Sequence, residues 1–331
     1  MKFASLRDGS RDGRLVLVSR DLRRALHTPP ALPRLQAVLE DWDASAPVLE
    51  ELYATLNAGH AADAFDFDPR AAMAPLPRAY QWADASAFLN HGALMERAYD
   101  LDIKKDAGVP IIYQGSGDDF YGPCDDYPVP GEEHGIDFEG EVAVVLDDVP
   151  LGVQPAAAIG HIRLLMLLND VSLRAHLFKE ISIGFGPLRA KPSTVFAPVA
   201  ITPDELGEAW QHGRVQLPLR VELNGKRFGE PHGGEMDFSF PELIMHLART
   251  RRLRCGTVLG SGTFSNRNYH HTGSACLAEQ RAIEKIELGE SRTPFLRFGD
   301  RLKFEMYGLD GQSLFGAIDH RFVAAPLPQE V

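Results

Sequence analysis

GIDFEGEVAVVL, Gly135 to Leu146, sets three carboxylates, Asp137, Glu139 and Glu141, at alternating positions ahead of a β-branched run. Val142, Val144 and Val145 favour a strand. Successive side chains of a strand point to opposite faces. Ile136, Phe138, Val142 and Val144 then share an apolar face, and the three acids share the other. Like charges this close repel, and more so once partly buried. Solvation, pairing with Lys or Arg, or a bound cation would each relieve the repulsion. The apolar face is strong enough to place the strand inside a sheet, which weighs against solvation alone.

The whole chain has 331 residues, of which 44% are hydrophobic, ample for one large domain plus a smaller one. Its 34 Lys and Arg against 46 Asp and Glu give a formal charge of −12. That balance speaks against a nucleic-acid footprint. Cys124, Cys255 and Cys276 lie far apart with no CxxC, which fits a reducing compartment rather than a zinc ribbon or disulfide scaffold. The first residues show no long apolar segment of the signal-peptide kind, and no apolar run approaches the ~20 residues of a membrane span. The expectation is a cytoplasmic protein acting on a small molecule, with no membrane partner.

Residues 1–75 read as a separate small unit. Lys2–Leu6 and Arg14–Ser19 flank DGSRDG as a hairpin. PPALP breaks the pattern, and helical periodicity follows in Leu35–Trp42 and Pro47–Leu56. APLPRAY, Ala74–Tyr80, is an extended linker, so residues 76–331 form the second unit, rich in strands. LNGK at Leu223–Lys226 carries the Asn-Gly hairpin signal. Phe295–Ile318 reads as strands separated by GD and DG turns. Thr202, Pro203 and Glu205 form the pattern of a capping box opening a helix. A further helix starts near Pro241. The GSG of Gly260–Gly262 follows a strand without a full phosphate-loop motif.

Other polar residues stand out. DASAFLNHGALMERAYD, Asp84–Asp100, reads as a helix with Asp84 as N-cap. His91 lies seven residues on, close to two full turns, so the two project in similar directions. In LLMLLNDVSLRAH, Asn169 and Asp170 end an apolar run, and Arg174 lies one turn beyond Asp170 if the chain turns helical. Lys191 sits in RAKPST, extended ahead of Pro192. GSGTFSN offers Thr263 and backbone donors, and CLAEQRAIE offers Glu279. Each has an ordinary structural explanation: a cap, a packed histidine, a surface lysine, a helix-surface charge. Together they point to an oxygen-rich divalent site with a nearby base and two cations. With no Cys/His ligand set, hard cations such as Mg²⁺ or Ca²⁺, with Mn²⁺ also accepted, fit better than zinc.

These motifs resemble the fumarylacetoacetate hydrolase family, in particular its bacterial members, from about Asp84 to Phe322. The acidic D-x-E-x-E strand followed by N-D-x-S-x-R carries the likeness, with KPST, FAPVAITPDELG and GSGTFSN. The resemblance implies a mainly β, α+β fold, a mixed β-sandwich roll, with a small SH3-like N-terminal domain and a homodimer. It implies Asp84, Glu139, Glu141 and Asp170 as metal ligands, which leaves Asp137 outside that set. It implies His91 as general base, oriented by Glu279, with Arg174 and Lys191 binding substrate and stabilising developing charge. Tyr113 in IIYQGSG and Thr263 match substrate contacts. Ser86 and Leu177 stand where animal members have a Tyr and a Gln, which bears on the substrate. His176, His270 and His271 receive no role.

The activity so implied is hydrolysis of a carbon–carbon bond in a 1,3-diketo acid: fumarylacetoacetate to fumarate and acetoacetate in tyrosine or aromatic breakdown, or a close acylpyruvate. Keto-acid decarboxylation or tautomerisation on the same fold is the alternative. A non-catalytic metal-stabilised binding protein is the third, and it would need no base.

Overall fold

The computed structural model describes residues 1–100, 108–184 and 186–326; the last five residues of the expected second unit lie outside these. The chain begins with strands β1 (Lys2–Leu6), β2 (Arg14–Val18) and β3 (Arg24–His27), then helices α1 (Leu35–Glu40) and α2 (Trp42–Asn57), then β4 (Phe65–Asp66). Next come β5 (Trp82–Ala85), α3 (Leu89–Tyr99), β6 (Ile112–Gly115), β7 (Tyr127–Val129), β8 (Ile136–Asp137) and β9 (Gly140–Leu146). After the short α4 (Pro155–Ala158) follow β10 (Ile162–Asn169), β11 (Ser172–Leu173), α5 (Arg174–Ile183), β12 (Val195–Phe196) and β13 (Ala200–Ile201). The remainder holds β14 (Trp210–Gln211), β15 (Arg214–Val215), β16 (Arg220–Leu223), β17 (Lys226–Gly229), α6 (Phe240–Leu247), β18 (Val258–Gly260), α7 (Tyr269–Thr272), α8 (Leu277–Leu288), β19 (Arg301–Glu305) and β20 (Ile318–Ala324).

Among the described residues the main sheet has 11 strands, in the order β4-β3-β2-β1-β13-β10-β9-β18-β5-β6, with β12 also on β10. A second sheet of five runs β17-β16-β19-β20-β7. Sheets dominate, with helices at the margins, as a sandwich of the α+β class requires. β9 is buried along its whole length. Its Val142, Val144 and Leu146 join one core with Leu219, Val221, Phe304 and Phe322 of the second sheet. Its Ala143 and Val145 join another with Leu39, Leu49 and Tyr53 of α1 and α2. Burial on both faces explains the near-continuous apolar run after Glu141, and each such side chain contributes ~1.5–3 kcal/mol of burial.

Several local expectations hold. β1 and β2 pair as the hairpin flanking DGSRDG. The Asn224-Gly225 turn joins β16 to β17, both residues having positive φ, as a two-residue hairpin of this type demands. Helix α6 begins with a capping box of Ser239 and Glu242.

Other readings need correcting. Asp84 is not a helix cap. It lies in β5, paired in parallel with β18 and antiparallel with β6, and α3 starts only at Leu89, whose N–H donates to Asp237 Oδ2 at 2.8 Å. The seven-residue spacing to His91 is therefore not two helical turns. Pro203–Ala209 forms a 3₁₀ turn without a side-chain cap, because the Thr202 hydroxyl bonds the Met1 nitrogen. The acidic stretch is not one strand either. Asp137 pairs across to Ser172 in β8–β11, and β9 begins again at Gly140. Apart from these corrections, β1–β4 stand at one end of the main sheet, where β1 is bonded to β13.

Candidate active site

Register places the acids. On β5, Asp84 lies level with Gly260 of β18 on one side and Tyr113 of β6 on the other. Gly260 is in turn level with Ala143 of β9. Glu141 of β9 faces Leu168 of β10, and Asp170 follows where β10 ends. Asp84, Glu141 and Asp170 bring carboxylate oxygens within 4.8 Å of one another, at 3%, 0% and 0% exposure. A Cβ on Gly260 would stand 2.3 Å from Asp84 Oδ1 and 3.1 Å from Glu141 Oε2, so only glycine lets these carboxylates meet. The next glycine closes the arrangement: Gly262 N–H donates to Asp84 Oδ1 at 3.1 Å and to Glu141 Oε2 at 3.0 Å.

The cations lie to one side. Lys191, singled out as a cation of the site, is buried rather than at the surface usual for a loop lysine and reaches Asp170 at 2.6 Å and Glu139 at 3.0 Å. Arg174 opens α5 and bonds Asp137 at 2.8 Å and Glu139 at 2.7 Å. Its sequence neighbour Asp170 is not its partner. Glu139 is thus held by Lys191, Arg174 and the Ser172 hydroxyl at 2.8 Å, outside the triad. The pairing expected to relieve the acidic motif is present, and solvation is excluded by burial of all three acids. Thr194 Oγ1 donates to Asp170 at 3.0 Å, and Tyr113 Oη donates to the same carboxylate.

Protonation follows from this layout. Burial, and then Asp170, push the Asp84 carboxyl up to about 8 against the pull of Lys191. Burial raises Glu141 well above the carboxylate range, with Asp84 and Asp170 adding to it. Glu139 moves the other way: burial would raise it, but Lys191 and Arg174 hold it low. Burial would lower Lys191, but Asp170 and Glu139 hold its ammonium charged.

A His–acid pair stands beside this cluster. His91, in the first turn of α3, donates from Nδ1 to Glu279 Oε2 at 3.1 Å. Glu279, the expected partner of His91, is fully buried in the first turn of α8 rather than on the helix surface usual for such a charge. Thr263 is buried with no partner for its hydroxyl. Ser86 is half-buried, its N–H bonded to Ile111 O. His176 pairs with His134 at 2.8 Å, Leu177 is half-buried on α5, and His270 and His271 are exposed. Ser172 and Thr194 were missed as site residues, although both stand inside quoted motifs. Cys276 was missed as well: its Sγ accepts the Glu279 N–H at 3.3 Å and lies 4.0 Å from His91 Nδ1.

The cluster suits a hard divalent cation. Asp84, Asp137, Glu139, Glu141 and Asp170 are five buried carboxylates sharing two cations, Arg174 and Lys191. Glu141 Oε1 is buried without a partner beside Asp84, an expensive vacancy for an acceptor. All available donors are oxygens, the preference of Mg²⁺, Ca²⁺ and Mn²⁺.

The chain thus combines a sheet-rich α+β fold with a buried all-oxygen acidic centre and a His–Glu pair. The family model described as fumarylacetoacetate (FAA) hydrolase C-terminal matches residues 81–323, and the one described as fumarylacetoacetase N-terminal domain 2 matches residues 1–78. The chain belongs to the fumarylacetoacetate hydrolase family. It is 26% identical over 157 residues to 2,4-didehydro-3-deoxy-L-rhamnonate hydrolase of Sphingomonas sp. (strain SKA58), a match covering 46% of this chain and 52% of that one. The chain spans about half the length of the curated relatives it matches. Its fold is similar to maleylpyruvate hydrolase from Sphingobium sp. SYK-6, solved with manganese(II) and pyruvate (TM-score 0.65, 14% identity, 98% of this chain and 100% of that one). It is similar also to 5-carboxymethyl-2-hydroxymuconate delta-isomerase from Mycobacterium smegmatis (TM-score 0.59, 17% identity, 99% and 100% covered). No helix among the described residues is long and apolar enough to cross a membrane.

Proposed function

We propose that this protein hydrolyses a carbon–carbon bond in a 1,3-diketo acid, fumarylacetoacetate or an acylpyruvate. The observation that carries the reading is the His91–Glu279 pair at 3.1 Å, joined to the acidic stretch through Cys276, which lies 4.0 Å from His91 Nδ1 and bridges to Glu139. A base held by a buried acid is what water activation needs, and a binding protein needs none. The named activities of the hydrolase relatives support a keto-acid substrate.

Asp84, Glu141 and Asp170 would hold the divalent cation, with Glu139 as the fourth ligand implied by the family. When bound, the cation supplies Lewis acidity to a substrate keto oxygen. Glu279 fixes His91 through Nδ1, which leaves Nε2 to take a proton from water. The water oxygen bonds to the keto carbon, and Lys191 and Arg174 offset the charge on the oxyanion. The bond between that carbon and the methylene breaks, and the electron pair goes to the methylene carbon, which takes a proton. One water is consumed and two carboxylic acids result. Thr263, with its unpartnered hydroxyl, and Tyr113 are the proposed substrate contacts, with Ser86 near the position of a further one. Residues 1–75 act as an accessory unit, and the assembly is a homodimer.

Decarboxylation or tautomerisation is the second reading, favoured by the isomerase of the same fold. A steady-state assay with fumarylacetoacetate and an acylpyruvate panel separates the two. Loss of diketone absorbance that is abolished by EDTA and by His91→Ala supports hydrolysis. Turnover that survives His91→Ala overturns it.

A further inference from the structure

Asp137 belongs to the acidic motif but not to the triad. We propose that it is a positioning residue, which fixes the first turn of α8 and so holds Glu279 against His91. The inference rests on the reading of His91 and Glu279 as the catalytic pair.

The carboxylate is fully buried and takes four donors, two on each oxygen. Oδ1 accepts from Phe138 N at 2.7 Å and Leu277 N at 2.7 Å. Oδ2 accepts from Ala278 N at 2.9 Å and Arg174 Nε at 2.8 Å. Four is about the capacity of a carboxylate. Two of the donors are the first amides of α8, which have no partner inside the helix, and a negative charge there also meets the positive end of the helix. The third amide, that of Glu279, goes to Cys276 Sγ. β8, which carries Asp137, therefore sets the position of a helix about 140 residues further along. Glu279 directly follows Ala278, and its Oε2 meets His91. Arg174 has a second tie, to Glu139, and so keeps an anchor when Asp137 is altered. The effect of Asp137 then runs chiefly through Glu279.

Asp137→Asn preserves shape but leaves one oxygen for four donors, and its amide opposes two N–H groups. The test is a cycle of Asp137→Asn, Glu279→Gln and the double variant, all loaded with Mn²⁺ and assayed with fumarylacetoacetate and acetylpyruvate. Asp137→Asn is expected to lower kcat ~10–100-fold, the range for a residue that supports a site from behind, with Mn²⁺ stoichiometry unchanged. In the Glu279→Gln background its cost should fall below about threefold, because residues that act as a unit are not additive. An equal cost in both backgrounds, or lost Mn²⁺ binding, overturns the proposal. If Glu279→Gln alone leaves kcat at the wild-type value, the catalytic pair itself is refuted instead.

A readout without turnover is the histidine Nδ1–H proton signal, assigned by its absence in His91→Ala. It should be present in the wild type and lost in Asp137→Asn; its persistence there overturns the proposal. Should Asp137→Asn not fold, Ala278→Pro removes only one α8 amide, in the first turn where the N–H has no partner inside the helix, and leaves the Asp137 charge in place. It should lower kcat to a smaller extent, and only while Glu279 is present.

Discussion

Raising or lowering pH in the metal-free protein perturbs the acidic triad directly. The Asp84 carboxyl titrates at about 8, raised by burial and by Asp170. Below that pH the triad carries a proton that a cation must displace. One competing proton weakens apparent affinity about tenfold per pH unit well below its pKa and about twofold at it, so Mn²⁺ should bind ~50-fold more weakly at pH 6 than at pH 8, about 2.3 kcal/mol. The raised Glu141 acts in the same direction. Calorimetric titrations with Mn²⁺ in buffers of different ionisation enthalpy give both the affinity and the protons released. At least about one proton should be released at pH 6. The same shift has a stability consequence. A carboxyl whose folded pKa exceeds its unfolded value of 3.8 contributes stability fully below that value and loses it as pH rises to about 8. The metal-free protein should therefore melt at a lower temperature at pH 8 than at pH 6, and Asp84→Asn should flatten that slope. Affinity independent of pH between 6 and 8, with no proton release, would refute the reasoning.

Three substitutions extend this account. His91→Ala should lower kcat ~10²–10⁴-fold, the usual share of a general base, and leave Mn²⁺ affinity unchanged by calorimetry. Gly260→Ala drives a methyl to 2.3 Å from Asp84 Oδ1 and 2.5 Å from Trp82 Cη2; overpacking of this kind costs ~1–3 kcal/mol, read by thermal unfolding alongside weakened Mn²⁺ binding. Lys191→Met strips Glu139 and Asp170 of their ammonium. Breaking a buried pair costs ~3–5 kcal/mol, so the metal-free variant should unfold well before wild type in denaturant, and Mn²⁺ should restore part of the difference.

The sequence was legible where chemistry and geometry lie in one short segment. Alternation around Glu141 marked β9 as a strand, although its second face is buried against α1 and α2 as well and Asp137 belongs to β8. The GSG turn, NDVS and the Asn224-Gly225 hairpin are equally local. Asp84 was misplaced because its strand is stabilised by pairing with β18 and β6, far off in sequence, while the local residues also satisfy a helix cap. The burial of Glu279 and Lys191 was not legible, because it depends on His91 of α3, on Glu139 just ahead of β9 and on Asp170 just after β10. The partners of Asp137 on α8 could not be inferred from its strand, since a carboxylate that satisfies a helix terminus leaves no mark on its own segment.

The central claim is that water is added across a carbon–carbon bond. Turnover of fumarylacetoacetate or acetylpyruvate by the Mn²⁺-loaded protein in H₂¹⁸O, followed by mass analysis of the products, tests it most directly. Hydrolysis predicts ¹⁸O in the carboxylate formed at the cleaved carbonyl, fumarate or acetate respectively. Release of carbon dioxide, or a product of unchanged mass, would contradict it.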